Sequence, residues 1–340
     1  MKPELHSIKL LALAGSLSLL SSCSHEPAEP AFGFYPSRDF PPVEYSSPDN
    51  PITKDGFELG RDLFYENGLS LDSSINCSSC HAQTHAFADH NVPLSQGVGG
   101  KLGRRNSPAL MNLAWMPKFM ADGGIVHLDV MPLAPITDTL EMALPMREAV
   151  DRLASSDKYR SKFERAFGSD TITSQRIFFA MSQFMVFMVS DNSRYDKFID
   201  GDEEFSDSEL RGYSLFKTHC ASCHTEPLFT DYSYERNGID SQFDDLGRGR
   251  ITLDPDDNGK FKVPSLRNVE LTYPYMHDGR FFTLSQVLDH YSNDVVPNSS
   301  DRLSQPLNLT QNEKNDIISF LKTLTDHSFI SNPILAEPKN

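Results

Sequence analysis

Cys77-Ser78-Ser79-Cys80-His81 is the stretch that decides the fold, and it returns as Cys220-Ala221-Ser222-Cys223-His224. C-x-x-C-H is the attachment signature of c-type haem. Two thiols add across the porphyrin vinyl groups, and the adjacent imidazole ligates iron from the proximal side. Three other readings compete. A zinc ribbon also uses two C-x-x-C knuckles, but it needs no His after each one. A thioredoxin-like redox pair appears once, in a βαβ context. Chance would have to place two complete copies in a chain with five cysteines. The residues therefore imply two covalent haem c groups, attached at Cys77, Cys80, Cys220 and Cys223, with His81 and His224 as iron ligands.

Working outward, each motif is preceded by a similar phrase: Phe57-Glu58-Leu59-Gly60-Arg61-Asp62-Leu63-Phe64 before the first, Glu209-Leu210-Arg211-Gly212-Tyr213-Ser214-Leu215-Phe216 before the second. Apolar residues at helical spacing lead into the haem turn in both. Ala86-Phe87-Ala88-Asp89 and Leu228-Phe229-Thr230-Asp231 follow. This is a duplicated helical unit. The run from Ile172 to Val189 predicts a central buried helix; its apolar stretch Phe178–Val189 is too short, and too polar at Ser182 and Gln183, to span a bilayer. Ser206 to Glu209 offer N-cap residues, and Thr310-Gln311-Asn312-Glu313 is a capping box that opens a last helix. Residues 231–262 are acidic and Gly-rich without a clear period, and predict loop. Few segments alternate at period two. The expected fold is mainly α, with two c-type cytochrome domains, long loops and little β.

The fifth cysteine belongs to the leader. Residues 1–22 carry Lys2 and Lys9, then an apolar run, then Leu20-Ser21-Ser22-Cys23. That is a secretory signal peptide, and its end resembles a lipobox, with Cys23 as the lipidated residue. Lipid chains hold a protein to a membrane leaflet, and Ser24 favours the outer membrane of the periplasmic side. Haem c attachment outside the cytoplasmic membrane fits this address. Residues 23–52, rich in Pro, predict an extended lipidated tether. The expected organisation is then an N-terminal haem domain at 53–200, a C-terminal haem domain at 201–330 and a tail at 331–340. Removing the leader, which carries a net charge of +1, takes the formal charge from −16 to −17. An acidic surface argues against nucleic acid and suits a basic electron-donor protein.

Further phrases align once the haem motifs are read: Gly97-Val98-Gly99-Gly100, Arg105-Asn106-Ser107-Pro108-Ala109-Leu110, Phe261-Lys262-Val263-Pro264-Ser265-Leu266-Arg267-Asn268 and Pro274-Tyr275-Met276-His277-Asp278-Gly279-Arg280. Together they resemble the bacterial di-haem cytochrome c peroxidases, which include the MauG-type enzymes, over about residues 53–326. The resemblance implies that the N-terminal haem reacts with hydrogen peroxide. It implies that the C-terminal haem collects electrons from a small cytochrome or cupredoxin, and that one calcium ion lies between the domains. Family members are often homodimers.

The same resemblance suggests roles for single residues. Some members carry a distal His in the glycine-rich loop; Gln96-Gly97-Val98-Gly99 has none, which implies an open sixth position on the first haem. His85 and His90 are the substitutes to consider there. Glu141, sixty residues after His81, matches the catalytic distal glutamate. A carboxylate in an apolar pocket has the raised pKa that proton transfer needs; the competing role is a helix-capping Glu. Pro135 lines the same pocket. Tyr291 and Met276 compete for the distal face of the second haem, with Tyr291 preferred as in MauG-type members. Phenolate lowers the haem potential and thioether raises it. Asn106, Thr272 and Pro274 match the calcium-binding oxygens. Ala121 stands where the family has an inter-haem Trp, and Met131 replaces a pocket glutamine. The lone Trp115 is read as a core aromatic or a displaced relay. Three functions stay open: a peroxidase, a MauG-like oxidase of a protein or organic substrate, and a non-enzymatic electron carrier or peroxide sensor.

Overall fold

The computed structural model describes residues 32–34, 39–297 and 300–339. The leader and the Cys23 lipidation site lie outside the described residues. The main helices are α1 (Lys54–Phe64), α2 (Met146–Ala154), α3 (Asp157–Phe167), α4 (Ser174–Val186), α5 (Arg194–Asp200), α6 (Asp207–His219), α7 (Leu284–Asp289) and α8 (Gln311–Lys322). Strand β1 (Tyr234–Glu235) pairs antiparallel with β2 (Phe261–Lys262). The fold is mainly helical, as expected. Among the described residues no helix is long and apolar enough to cross a membrane.

The sequence caps form as read. The Ser206 hydroxyl accepts from the Glu209 N–H, and Thr310 accepts from Glu313, both with the reciprocal Glu bond of a capping box. The central helix α4 starts at the Thr173 N-cap, and nine of its residues are buried, including Phe178, Met181, Phe184 and Met185.

One packing device is used twice. Helix α1 lies along α4, and α6 lies along α8. Gly60 sits at the first crossing: a Cβ there would stand 1.9 Å from the Ala180 carbonyl oxygen. Gly212 sits at the second, where a Cβ would stand 1.9 Å from the Asp316 carbonyl oxygen. Only hydrogen at these positions lets the backbones approach. Four residues on, Phe64 meets Phe184 at 5.3 Å and Phe87 at 5.9 Å, while Phe216 meets Phe320 at 5.1 Å and Phe229 at 5.5 Å. Each trio of rings is fully buried and makes the floor of one haem turn.

The duplication runs further than the sequence phrases indicated. Phe119-Met120-Ala121-Asp122-Gly123 and Tyr275-Met276-His277-Asp278-Gly279 form the same turn. Met120 and Met276 have φ of 66° and 76°, the two Gly have 70° and 71°, and each turn is closed by a β-bridge, Phe119 to Ile125 and Tyr275 to Phe281.

The ends depart from the expected boundaries. Residues 39–52 hold no helix or strand and turn back where the Asn50 N–H meets the Ser47 carbonyl, and they are not a free tether. Phe40 and Asn50 are buried, and Tyr45, Ser47 and Asn50 bind the buried Asp129 and Ser182. Proline-rich composition reports extension, not exposure. At the other end Leu335 is buried, and Tyr65 and Arg61 of the first half donate to the carbonyls of Leu335 and Ile334. The tail therefore packs against the first half. The 231–262 stretch holds the β1–β2 pair; strands two residues long carry no period to read.

Candidate functional site

Both C-x-x-C-H turns take one shape. The N–H of Cys80 and His81 both reach the Cys77 carbonyl, at 3.2 and 3.0 Å; those of Cys223 and His224 reach the Cys220 carbonyl at 3.2 and 2.9 Å. All four thiols are free and lie on the same tight turn as the imidazole. His81 Nδ1 bonds the Phe87 carbonyl at 2.9 Å, and His224 Nδ1 bonds the carbonyls of Phe229 and Pro264 at 3.1 Å each. Phe87 and Phe229 take left-handed φ, 57° and 55°, which turns those carbonyls toward the rings. With Nδ1 engaged, Nε2 is the free lone pair, the arrangement of an iron-ligating His whose outer N–H is held by a carbonyl. Burial lowers both imidazole pKa values, keeping the rings neutral. The donor set fits haem c at both turns.

Above the first turn lies Glu141. Its N–H bonds the Asp138 carbonyl at 3.0 Å, and its own carbonyl accepts from Val98 at 2.9 Å. Gly97 is pressed against this segment: a Cβ there would stand 2.0 Å from the Leu140 carbonyl oxygen. The glycine-rich loop and the Glu141 segment thus form one wall. Burial raises the Glu141 pKa, Asp138 adds to the rise and Arg104 opposes it. Burial raises the Cys77 and Cys80 thiol pKa values, and Glu141 adds a smaller rise to each. Glu141 precedes α2 by several residues, so it does not cap that helix, whose N-cap is Pro145. His85 and His90 stack on each other at 3.8 Å on the outer side of the loop.

At the second turn, Tyr291 lies on a π-helical turn, His290–Asp294, that continues α7; such widened turns gather at functional sites. Burial pushes its phenol pKa up, and Cys220 and Cys223 add to the rise. Met276 Sδ lies 3.1 Å from Asn237 Nδ2. Sequence reading missed Asn237, whose loop has no period and no motif.

Between the two turns, β2 connects both halves. The Lys262 N–H bonds the Ala121 carbonyl at 2.8 Å, and Nζ donates to the Lys118 carbonyl at 2.7 Å and to Met116 Sδ. Burial lowers the Lys262 pKa to about 7. The aromatic beside the Ala121 turn is Tyr234: a Cβ on Gly123 would stand 2.0 Å from its hydroxyl. That hydroxyl is buried without a hydrogen-bond partner among the described residues. Asp122 is held by Arg105 and Arg250 at 2.7 and 2.8 Å. Trp115 is a core aromatic, 2% exposed, donating to the Pro41 carbonyl at 2.8 Å and set edge-on to Phe40.

Among the calcium candidates, the Asn106 N–H bonds the His277 carbonyl at 2.8 Å, bringing Asn106 against the loop that carries Thr272 and Pro274. Its Nδ2 donates to the Pro93 carbonyl at 3.1 Å, which turns Oδ1 away from that oxygen. A carboxamide oxygen and loop carbonyls are hard-cation donors.

Comparison with known proteins agrees with this geometry. The family model described as di-haem cytochrome c peroxidase matches residues 54–204, and that described as cytochrome c matches 210–325. The methylamine utilization protein MauG of Methylophilus methylotrophus is 34% identical, over 85% of this chain and 90% of its own. The cytochrome c551 peroxidase of Nitrosomonas europaea is 34% identical over 88% of each. Among solved structures, a MauG-like protein associated with microbial copper homeostasis superposes with a TM-score of 0.82 at 32% identity, covering 91% of this chain and 99% of that one.

Proposed function

The chain belongs to the di-haem cytochrome c peroxidase family, and on that premise we propose that it reduces hydrogen peroxide to water with electrons from a small periplasmic redox protein. Each peroxide takes up two electrons and two protons and yields two waters. The haems supply redox-active iron at the first turn and electron entry at the second. His81 and His224 hold Nε2 in place through their Nδ1 bonds. Glu141 carries the proton: it takes it from one peroxide oxygen and returns it to the departing one, a transfer that needs a carboxyl with a raised pKa in a water-poor pocket. The observation that carries the reading is the asymmetry of the two turns. The first has a half-buried carboxylate beside a glycine-rich wall, and the second has a half-buried phenol.

Asn106, Thr272 and Pro274 are proposed to hold calcium between the halves, and Cys23 to carry the lipid anchor that keeps the enzyme at the membrane. A steady-state assay with a reduced cytochrome or cupredoxin tests the proposal. Peroxide-dependent donor oxidation no faster than that of a haem c peptide refutes it. The Tyr291 phenol on its π-turn favours a second reading, a MauG-like oxidase of a protein or organic substrate. Poor donor turnover together with His/Tyr ligation by spectroscopy selects it.

A further inference from the structure

We infer that Asn237 is the positioning residue that selects the distal ligand of the second haem, by holding the Met276 thioether aside while it steadies the Tyr291 phenol. The inference rests on the reading that His224 and Tyr291 face each other across that haem. Three observations converge on Asn237.

First, its Nδ2 lies 3.1 Å from Met276 Sδ. Second, the same side chain opposes the burial that raises the Tyr291 pKa, which sets the amide toward that hydroxyl. Third, its main-chain carbonyl accepts from His290 Nε2 at 2.9 Å, tying it to the residue next to Tyr291. A carboxamide NH2 has two hydrogens, enough for one thioether and one phenol. Its orientation is fixed, because Oδ1 takes the Ile239 N–H at 3.3 Å, which only the oxygen end can accept.

The scaffold around it is stiff. Asn237 lies two residues past β1, and its neighbour Arg236 bonds the carbonyls of Asn258 and Asp256 at 2.6 Å each. Met276 sits in a left-handed turn shared in form with Met120, so its backbone sets the reach of the thioether. Tyr291 rides on the π-turn. The two candidate ligands therefore come from separate rigid elements, and one amide lies between them. A sulfur that accepts an N–H has less lone pair to offer a metal. A phenol beside the same amide is held in one orientation, which is what outer-shell partners do for metal ligands.

The test uses the holoprotein with both haems attached, checked by haem content per chain. Asn237→Leu is expected to convert the second haem from one ligation state to a mixture of Tyr- and Met-ligated forms, seen by electron paramagnetic resonance and resonance Raman, with a rise in its midpoint potential. Asn237→Leu combined with Met276→Leu is expected to restore a single Tyr-ligated species. An unchanged ligation spectrum and potential in Asn237→Leu overturns the inference. Asn237→Ala, smaller and less prone to clash, serves if the Leu variant loses haem, with the same two outcomes. Tyr291→Phe separates this from the underlying reading. If that variant leaves the second-haem spectrum as in wild type, Tyr291 is not a ligand and the reading itself fails. If Tyr291→Phe alters the spectrum while Asn237→Leu does not, only the role of Asn237 is lost.

Discussion

Replacing Glu141 by Gln removes the proton carrier and almost nothing else. The bonds that hold the segment are main-chain bonds, Glu141 N–H to Asp138 and Val98 N–H to Glu141, and both survive. Gly97 packs on the main-chain carbonyls of Leu140 and Glu141, which the substitution leaves in place. General acid–base transfer contributes roughly 10²- to 10⁴-fold, so the second-order rate with peroxide should fall by that factor, about 2.7–5.4 kcal/mol of barrier. Folding should not suffer. The Glu141 pKa is raised, so burying this carboxyl costs nothing below its unfolded value of 4.5, and the cost builds between that value and the folded one and is complete above it. Gln carries no such cost, and Glu141→Gln should be as stable as wild type at neutral pH or slightly more so. Stopped-flow mixing with peroxide across a pH series reads both effects. Wild type should gain rate as pH rises through a limb above 4.5, and the variant should lack that limb. A Glu141→Gln rate within threefold of wild type, or an unchanged limb, would refute the assignment.

Other perturbations address the scaffold. Arg267 is fully buried, paired through both Nη atoms with Asp196 at 2.7 and 2.8 Å, and lies over the rings of Phe40 and Phe229. Arg267→Met strands Asp196 and should cost about 3–5 kcal/mol in urea unfolding; a loss under 1 kcal/mol contradicts the buried-pair reading. Burial alone would raise the Asp196 pKa, but the Arg267 bonds outweigh it and lower it below 3.8. The stability this pair contributes is therefore present above 3.8 and lost as pH falls through the depressed value. Acid titration of wild type should show this loss, and Arg267→Met should lack it. Gly212→Ala drives a methyl into the Asp316 carbonyl, a backbone atom that cannot swing away, and should cost at least about 1–3 kcal/mol in thermal unfolding. Wild-type melting in that variant would mean the helices separate freely. Cys220→Ser with Cys223→Ser should halve the covalent haem per chain, read by haem staining and alkaline pyridine spectra; two haems retained would remove the second turn from the attachment sites.

What the sequence determined by itself was local. The C-x-x-C-H turns, the capping boxes at Ser206 and Thr310, the buried helix after Thr173 and the mainly helical class all follow from contacts within a few residues, where spacing and geometry are the same thing. Gly60 and Gly212 could be matched as repeats, but not explained. Their reason is a carbonyl on another helix, Ala180 in one half and Asp316 in the other. Tertiary structure alone decided the rest. It laid the proline-rich 39–52 segment and the 331–340 tail on the body, because their buried side chains find partners far along the chain. It put Tyr234 and Lys262 beside the Ala121 turn, and Trp115 against Pro41. It joined Met276 and Tyr291 through Asn237, 39 residues before the sulfur. No periodicity encodes such a meeting, since it depends on how two rigid turns and the loop after β1 pack together.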